Sequence, residues 1–295
     1  MTGQRRQQLR RGLFFVSPFL AGFGVLTIYP VVMSFYYSLT EFDGTTAPAF
    51  VGLDKYQQLL ADELFWLSLW NTAFYTLFAV PLGVLVALGL ALLLNMKLRG
   101  MSLYRAMFFV PSIVPIVAAS VLWVWFLNPQ YGILNGLLRL IGVAGPGWMA
   151  SPTWTKPALI LMSLWSVGGT MVLYLASLQD VREQLYEAAE IDGASAWRKT
   201  IHITLPIISP VILFTVIMGL IGGFQYFTQA YVMTGGTGGA GDAALFYCLY
   251  LFQKAFNFQD MGGASAMAWM LFIVIVAVTL LTFRVSRQFV HYEGK

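Results

Sequence analysis

Charged residues are scarce in this chain of 295 residues. Asp, Glu, Lys and Arg make up only 10% of it, whereas soluble domains carry about 25%. Hydrophobic residues make up 58%, and the mean hydropathy is +0.72. A soluble core cannot absorb so much apolar sequence, so the composition predicts a membrane protein. The excess of basic residues then concerns sidedness in a membrane and does not indicate nucleic-acid binding.

Residues that carry catalysis or bind metals are also few. The single cysteine, Cys248, excludes an internal disulfide. The two histidines, His202 and His291, have no partner at metal-ligand spacing, so we expect no metal site. The pattern G-x-x-x-x-G-K-[ST] does not occur, so we expect no ATP hydrolysis by that route. G-x-S-x-G is also missing, and no His or acid joins the serines near the apolar segments, which argues against a membrane enzyme.

Long apolar segments dominate the rest of the sequence. A membrane helix needs about 20 predominantly apolar residues, and six segments qualify. The expected spans are 13–38, 66–95, 104–127, 157–178, 206–229 and 264–284. The first is longer than the apolar part of a secretory signal and lacks a small-residue cleavage site, so we expect an uncleaved membrane helix. No span carries an Asp, Glu or His that could relay protons, so the energy source is expected on a partner, with sodium coupling through backbone carbonyls as the alternative.

Basic residues are distributed unevenly between the segments that join these spans. Six spans place both termini on one side, and the segments of that side hold 13 of the 17 basic residues. These are Arg5, Arg6, Arg10, Arg11, Lys97, Arg99, Arg105, Arg182, Arg198, Lys199, Arg284, Arg287 and Lys295. The other side holds Lys55, Arg139, Lys156 and Lys254. The positive-inside rule therefore predicts cytoplasmic termini and a cytoplasmic loop at 179–204.

The loop at 179–204 has the composition of two short helices. Residues 182–191 are mostly good helix formers. Asp192 and Gly193 are expected to end this helix, because Gly is favoured just past a helix C-terminus. Ser195 is a suitable cap for a second helix at 196–202. The first helix suits either a groove on a partner protein or the lipid headgroups, and its three glutamates favour the partner because anionic lipid would repel them.

The same loop resembles the EAA loop of the membrane subunits of ABC importers. That pattern is E-A-A, three residues, Gly, nine residues and I-x-L-P, and it is complete here at 187–189, Gly193 and 203–206. Other segments resemble the carbohydrate-uptake permeases, in particular the MalF-like branch in its compact six-span form. They are residues 15–19, 29–30, 38–40, 50–56, 71–72, 109–111 and 224–227. One departure is the outer loop at 235–239, which lacks the proline that the family often has.

The resemblance implies an all-α, polytopic permease of the type I ABC importer fold, with residues 1–295 forming a single transmembrane domain. It implies a second, MalG-like permease, an ABC ATPase dimer that binds ATP and Mg, and an extracytoplasmic solute-binding protein, in the inner membrane of a prokaryote. The chain itself would be a transport subunit without a cofactor or enzymatic activity. The residues expected to couple it to the ATPase are Tyr186, Glu187, Ala188, Ala189, Asp192 and Gly193.

The resemblance also implies a sugar pathway in the membrane, to which the fourth and fifth spans contribute. Aromatic faces stack on sugar rings, amides pair with hydroxyls, and glycines leave room. The residues with this chemistry are Trp165, Gly222, Gln225, Tyr226 and Gln229. Each of them is also suited to helix packing. The expected function is ATP-driven import of an oligosaccharide, a monosaccharide or a solute of the glycerol-3-phosphate class. The alternative is a secondary carrier or channel subunit for sugars or polyols, which would transport without an ATPase.

Overall fold

The computed structural model describes residues 3–96 and 98–287. The expected contributions of Lys97, His291 and Lys295 therefore lie outside the described residues. Helices dominate the described part, which confirms the all-α prediction apart from one small ribbon. In that ribbon β1 (Thr40–Glu41) pairs antiparallel with β2 (Ala49–Phe50).

Fifteen α-helices occur within the described residues. They are α1 (Gly3–Phe23), α2 (Tyr29–Ser38), α3 (Asp54–Ala61), α4 (Glu63–Leu94), α5 (Met101–Phe109), α6 (Ile116–Phe126), α7 (Ile133–Leu140), α8 (Pro152–Trp165), α9 (Gly168–Gln179), α10 (Glu183–Ile191), α11 (Ala196–Lys199), α12 (Leu205–Phe224), α13 (Thr228–Thr234), α14 (Tyr247–Phe252) and α15 (Met261–Ser286). Short π-helical or 3₁₀ segments occur at Gly24–Ile28, Val110–Ile113, Thr200–Thr204, Ala240–Asp242 and Gln253–Asn257.

Four helical stretches of the described chain are long and apolar enough to cross a membrane without a sharp bend. They are Arg10–Ser38, Glu63–Leu94, Ala196–Phe224 and Met261–Ser286. The third differs from the expected span at 206–229. It begins earlier because the π-helical turn joins α11 to α12, and it ends at Phe224, with Gln225 as its C-cap.

The expected span at 104–127 is broken. Its two parts, Met101–Ile113 and Ile116–Phe126, are bent by 99°. Two prolines lie at this break, Pro111 in the first part and Pro115 at the N-cap of the second. A proline has no backbone N–H and clashes with the preceding turn, so two of them close together end one helix and start another.

The expected span at 157–178 is also bent, by 47°, between α8 and α9. Glycine is required at the start of α9. A Cβ on Gly168 would overlap the carbonyl oxygen of Phe108 in α5, so only glycine permits this close approach. The described chain thus has six candidate spans if each bent pair crosses the membrane once.

The chain divides into two compact units, and the first comprises Met1–Asp62 and Leu251–Leu271. Two ion pairs stabilise this unit. The Lys55 ammonium lies 3.1 Å from Asp260, and the Lys254 ammonium lies 3.5 Å from Asp62. Lys55 and Lys254 are two of the four basic residues that oppose the predicted orientation.

The second unit comprises Glu63–Tyr250 and Phe272–Lys295. Its core lies where α4, α9 and α12 pack together. Ala87 and Ala91 of α4 are fully buried, and such small side chains let neighbouring membrane helices approach closely. Tyr174 of α9 is also buried and forms a hydrogen bond with the hydroxyl of Thr215 in α12. This packing fixes α12, which runs from the loop at 179–204 towards a cavity described below.

Candidate functional site

The loop at 179–204 contains a helix that ends in a sharp turn at Gly193. The backbone φ of Gly193 is +72°, a left-handed value that glycine adopts at little cost. The Gly193 N–H donates to the Glu190 carbonyl at 3.0 Å, and the Ala194 N–H donates to the Ala189 carbonyl at 2.8 Å. These are the two hydrogen bonds of a Schellman motif, so the turn is a defined structure and not a flexible link.

The second helix of the loop begins directly after this turn. The Ser195 hydroxyl accepts a hydrogen bond from the Arg198 N–H at 3.4 Å, as predicted for an N-cap. The sequence predicted that this helix ends at 202, but it does not end there. It continues through the π-helical turn into α12 and reaches Phe224. The turn is therefore joined directly to the end of a candidate membrane span.

Two side-chain contacts connect the first helix of the loop to the second. The hydroxyls of Tyr186 and Thr204 lie 2.9 Å apart, and Thr204 is 3% exposed. The Lys199 ammonium lies 2.5 Å from a carboxylate oxygen of Glu190. Tyr186 also packs against the core of α4, α9 and α12. Among the six expected coupling residues, Tyr186 thus faces the spans of its own chain.

The other side of the first helix is exposed and partly apolar. Glu187 and Ala188 are exposed, as is Ile191 at 87%, whereas Ala189 is half-buried. Just beyond the turn, the side chain of Trp197 is 73% exposed. Exposed apolar residues beside a short helix are typical of a surface that binds another protein. Asp192 is also exposed and is the C-cap of α10. Trp197 was not predicted as a site residue, although a tryptophan in a polar loop is a recognisable signal.

A cavity of about 510 Å³ lies in the second unit. Four of the five expected pathway residues line it, namely Trp165, Gly222, Tyr226 and Gln229. The fifth, Gln225, is exposed and is not part of the lining. Gln225 is the C-cap residue of α12, so the helical periodicity that places Gly222 in the wall no longer applies to it.

The wall of the cavity includes both helix breaks. Ser112 and Val114 come from the 99° bend, and Ser163 and Ser166 come from the 47° bend. Broken helices leave backbone N–H and C=O groups without intrahelical partners. At membrane depth such groups are tolerated where they line a cavity or are buried in protein. The bends therefore add polar groups to the wall of the cavity, and the sequence did not predict them.

Aromatic rings form another part of the wall. Tyr75 of α4 and Tyr226 both line the cavity, with ring centroids 4.3 Å apart. Trp165 packs edge-on against the buried Trp123 at 6.3 Å. Tyr75 was missed by the sequence analysis, because nothing local distinguishes it from other aromatics in a long apolar helix. Rings next to hydroxyl and amide groups provide both stacking surfaces and hydrogen-bond partners.

The three glycines of α12, Gly219, Gly222 and Gly223, line the cavity, and two of them also allow close packing against α4. A Cβ on Gly219 would lie 3.0 Å from Val80, and one on Gly223 would lie 2.7 Å from the hydroxyl of Thr76. A Cβ on Gly222 would meet no atom within 4 Å. Gly219 and Gly223 thus bring α12 against α4, and Gly222 leaves open space in the cavity.

Comparison with known proteins identifies the class of this protein. Residues 79–291 match the family described as binding-protein-dependent transport system inner membrane component. The chain belongs to this family, and it is therefore a membrane-embedded transport subunit. This result confirms the resemblance inferred from the loop at 179–204.

Two relatives extend the match over nearly the whole chain. The chain is 40% identical to the probable ABC transporter permease protein YesP of Bacillus subtilis (strain 168), covering 96% of this chain and 93% of that protein. It is 34% identical to the lactose transport system permease protein LacF of Rhizobium radiobacter, covering 98% of this chain and 99% of that protein.

A solved structure supports the same fold. The chain is similar to a chain of a bacterial ABC transporter involved in the import of the acidic polysaccharide alginate, with a TM-score of 0.82. The match covers 97% of this chain and 99% of that chain at 21% identity. This likeness establishes the ABC transporter permease fold for the described residues.

Proposed function

We propose that this chain is one of two permease subunits of an ATP-driven importer for a sugar or sugar-like solute. The 34% identity to a lactose transport permease supports the substrate class. The mixture of rings, hydroxyls and amides in the cavity suits a sugar as well. A separate ATPase dimer would bind ATP and Mg, a second permease would complete the pathway, and an extracytoplasmic binding protein would deliver the solute.

The observation that carries the proposal is the continuous helical stretch from Ala196 to Phe224. At 1.5 Å per residue it is about 40 Å long. It begins beside the turn at Gly193, and Gly219 and Gly222 near its other end line the cavity. A rigid element that contacts a partner at one end and lines the pathway at the other is what coupling to an external ATPase requires.

The proposed coupling begins at the exposed face of the loop. Glu187, Ala188, Ile191 and Trp197 would lie in a cleft of the ATPase. Closure of the ATPase dimer would push this helix, and the turn and the contacts between the two helices would pass the displacement to α12. The cavity would then open to alternate sides of the membrane, as in a two-state equilibrium that the partners bias.

The proposed orientation places both termini and the loop at 179–204 in the cytoplasm. Single cysteines test it in a Cys248→Ser background. A cysteine at Thr45 should react with an impermeant maleimide in intact cells, and one at Gln184 should react only after the membrane is opened. Labelling of the Gln184 position from outside would refute both the orientation and the coupling proposal.

The decisive test of function is transport by the assembled complex in proteoliposomes. We expect uptake of labelled lactose or another saccharide to require ATP, the ATPase and the loaded binding protein. Ile191→Asp should abolish the stimulation of ATP hydrolysis by the loaded binding protein, because a charge would enter the apolar contact. Ile191→Leu is the matched control and should retain stimulation. Saccharide uptake without ATP would support a secondary carrier or channel and refute the proposal.

A further inference from the structure

Two neighbouring polar residues of α4, Asn71 and Thr72, hold a distant segment by its backbone. Both side chains are fully buried. The Asn71 amide donates to the carbonyl oxygens of Asp242 at 2.9 Å and Leu245 at 3.1 Å. The Tyr247 N–H donates to the Thr72 hydroxyl at 2.8 Å. Three hydrogen bonds thus attach the backbone between Asp242 and Tyr247 to α4.

The attached segment needs such partners because most of it is buried and lies just before α14, outside the regular hydrogen bonding of that helix. Ala244 and Phe246 are fully buried, and a buried backbone group without a partner is costly. Tyr247 is the first residue of α14, so its N–H has no intrahelical acceptor, and the Thr72 hydroxyl takes the place of a cap. Asp242 has a φ of +54°, a strained value for a residue other than glycine, which the surrounding structure must maintain.

The segment also supports the aromatic part of the cavity wall. The ring of Phe246 packs edge-on against Tyr75 at 5.5 Å and against Tyr226 at 5.1 Å, measured between ring centroids. Tyr75 and Tyr226 both line the cavity. Asn71 lies four residues before Tyr75 on α4, so the two side chains lie on the same helix face. On α4, the residue that holds the segment, Asn71, is therefore about one helical turn from Tyr75, whose ring Phe246 packs against.

We propose that Asn71 and Thr72 are positioning residues for the solute pathway. By fixing the segment that carries Phe246, they hold Tyr75 and Tyr226 in the geometry that a passing solute meets. The role in transport rests on the proposed function, whereas the attachment itself does not. Neither residue lines the cavity, so the effect of a substitution would reach the cavity through Phe246.

The first experiment measures the attachment without reference to transport. Cys248 is the single cysteine, is half-buried and lies one residue beyond Tyr247. In the purified full chain, Thr72→Val should increase the rate at which N-ethylmaleimide labels Cys248 by about fivefold, the factor expected when the Tyr247 N–H loses its buried acceptor. The substitution also removes the hydrogen bond from the Thr72 hydroxyl to the Ser68 carbonyl within α4, so the control must lose a bond of that second kind. Thr72→Ser should restore the slow rate. Thr155→Val is the matched control, because the Thr155 hydroxyl is equally buried but bonds within its own helix.

The second experiment measures solute transported per ATP hydrolysed in the assembled complex. Thr72→Val removes one hydrogen bond to the segment and should lower this ratio about fivefold, because it loosens the cavity wall. Asn71→Leu removes two and should lower the ratio further. Thr72→Ser and Thr155→Val should keep the parental ratio. Loss of transport and ATP hydrolysis in proportion would indicate a merely structural role and overturn the proposal.

The two experiments separate the possible failures. If Thr72→Val labels no faster than the parent, the attachment is not what holds the segment and the proposal is wrong. If Asn71→Leu does not assemble, the Thr72 series decides alone. If the parent protein transports without ATP, the proposed function fails, and the labelling result still decides whether Asn71 and Thr72 hold the segment.

Discussion

Substitution of Gly193 is the sharpest test of the coupling proposed for the loop at 179–204, because the cost of the substitution follows from backbone geometry alone. The φ of Gly193 is +72°, and a Cβ placed there would meet no atom of the chain within 4 Å. The cost of a side chain is therefore conformational and not steric. Alanine in the left-handed region costs about 1 kcal/mol. That cost lowers the population of the turn relative to its alternatives about fivefold.

A series of side chains at position 193 should follow their tolerance of the left-handed region. Asparagine visits this region readily, so Gly193→Asn should behave almost like the parent. Gly193→Ala should be intermediate. Gly193→Val should be worst, because a β-branched residue with positive φ is an outlier, and its cost of about 2 kcal/mol corresponds to a factor of about thirty.

The assay is a titration of the reconstituted permease pair with its ATPase, with ATP hydrolysis followed in the presence of loaded binding protein. If the turn seen here is the conformation that binds the ATPase and it becomes a minor state, the apparent dissociation constant of the permease pair for the ATPase rises by the inverse of that population. We therefore expect the constants to increase in the order Gly, Asn, Ala, Val. Gly136→Ala is the matched control, because Gly136 has free space around it, lies within α7 and has no positive φ. Equal constants across the series would refute the role of the turn.

Two further predictions concern the ends of the helical stretch. Tyr186→Phe keeps the ring and loses the hydrogen bond to Thr204, so stimulated ATP hydrolysis should fall several-fold, for a cost of about 1 kcal/mol; unchanged stimulation would contradict the proposed contact. Gly222→Val should block uptake while the complex still assembles, because it fills open cavity space. Gly223→Ala should instead lower the melting temperature, because its Cβ meets Thr76; the opposite pattern would refute the assignment.

The sequence was sufficient where the structural signal is local. Apolar segments of membrane length predicted α4 within about three residues at its start, since hydropathy depends on neighbouring residues only. The end of the loop helix at Gly193 and the cap at Ser195 were also predictable. Capping depends on a few consecutive residues, and glycine and serine are the preferred types at those positions.

The bends and the cavity could not be predicted because they depend on contacts between distant elements. Prolines are often tolerated inside membrane helices, so Pro111 and Pro115 alone did not reveal a bend of 99°. Tyr75 reaches the cavity only because α4, α8 and α12 meet there. Gln225 was expected on the pathway because its amide suits a sugar and the expected fifth span ran to 229, whereas α12 ends at Phe224.

The packing of α12 determines which motion the loop can transmit. Gly219 and Gly223 bring one face of α12 against α4, and the buried Thr204, directly before α12, contacts Tyr186. In the proposed coupling, a push at the turn at Gly193 would either tilt the whole stretch about the glycine contact or be absorbed before it reached α12. The π-helical turn at Thr200–Thr204 lies on the loop side of the Thr204 contact, and π-helical segments occur mostly as single turns, frequently at functional sites. The contact of Tyr186 with Thr204 lies at the end of that turn, so in the proposed coupling it would brace the junction between the loop at 179–204 and α12.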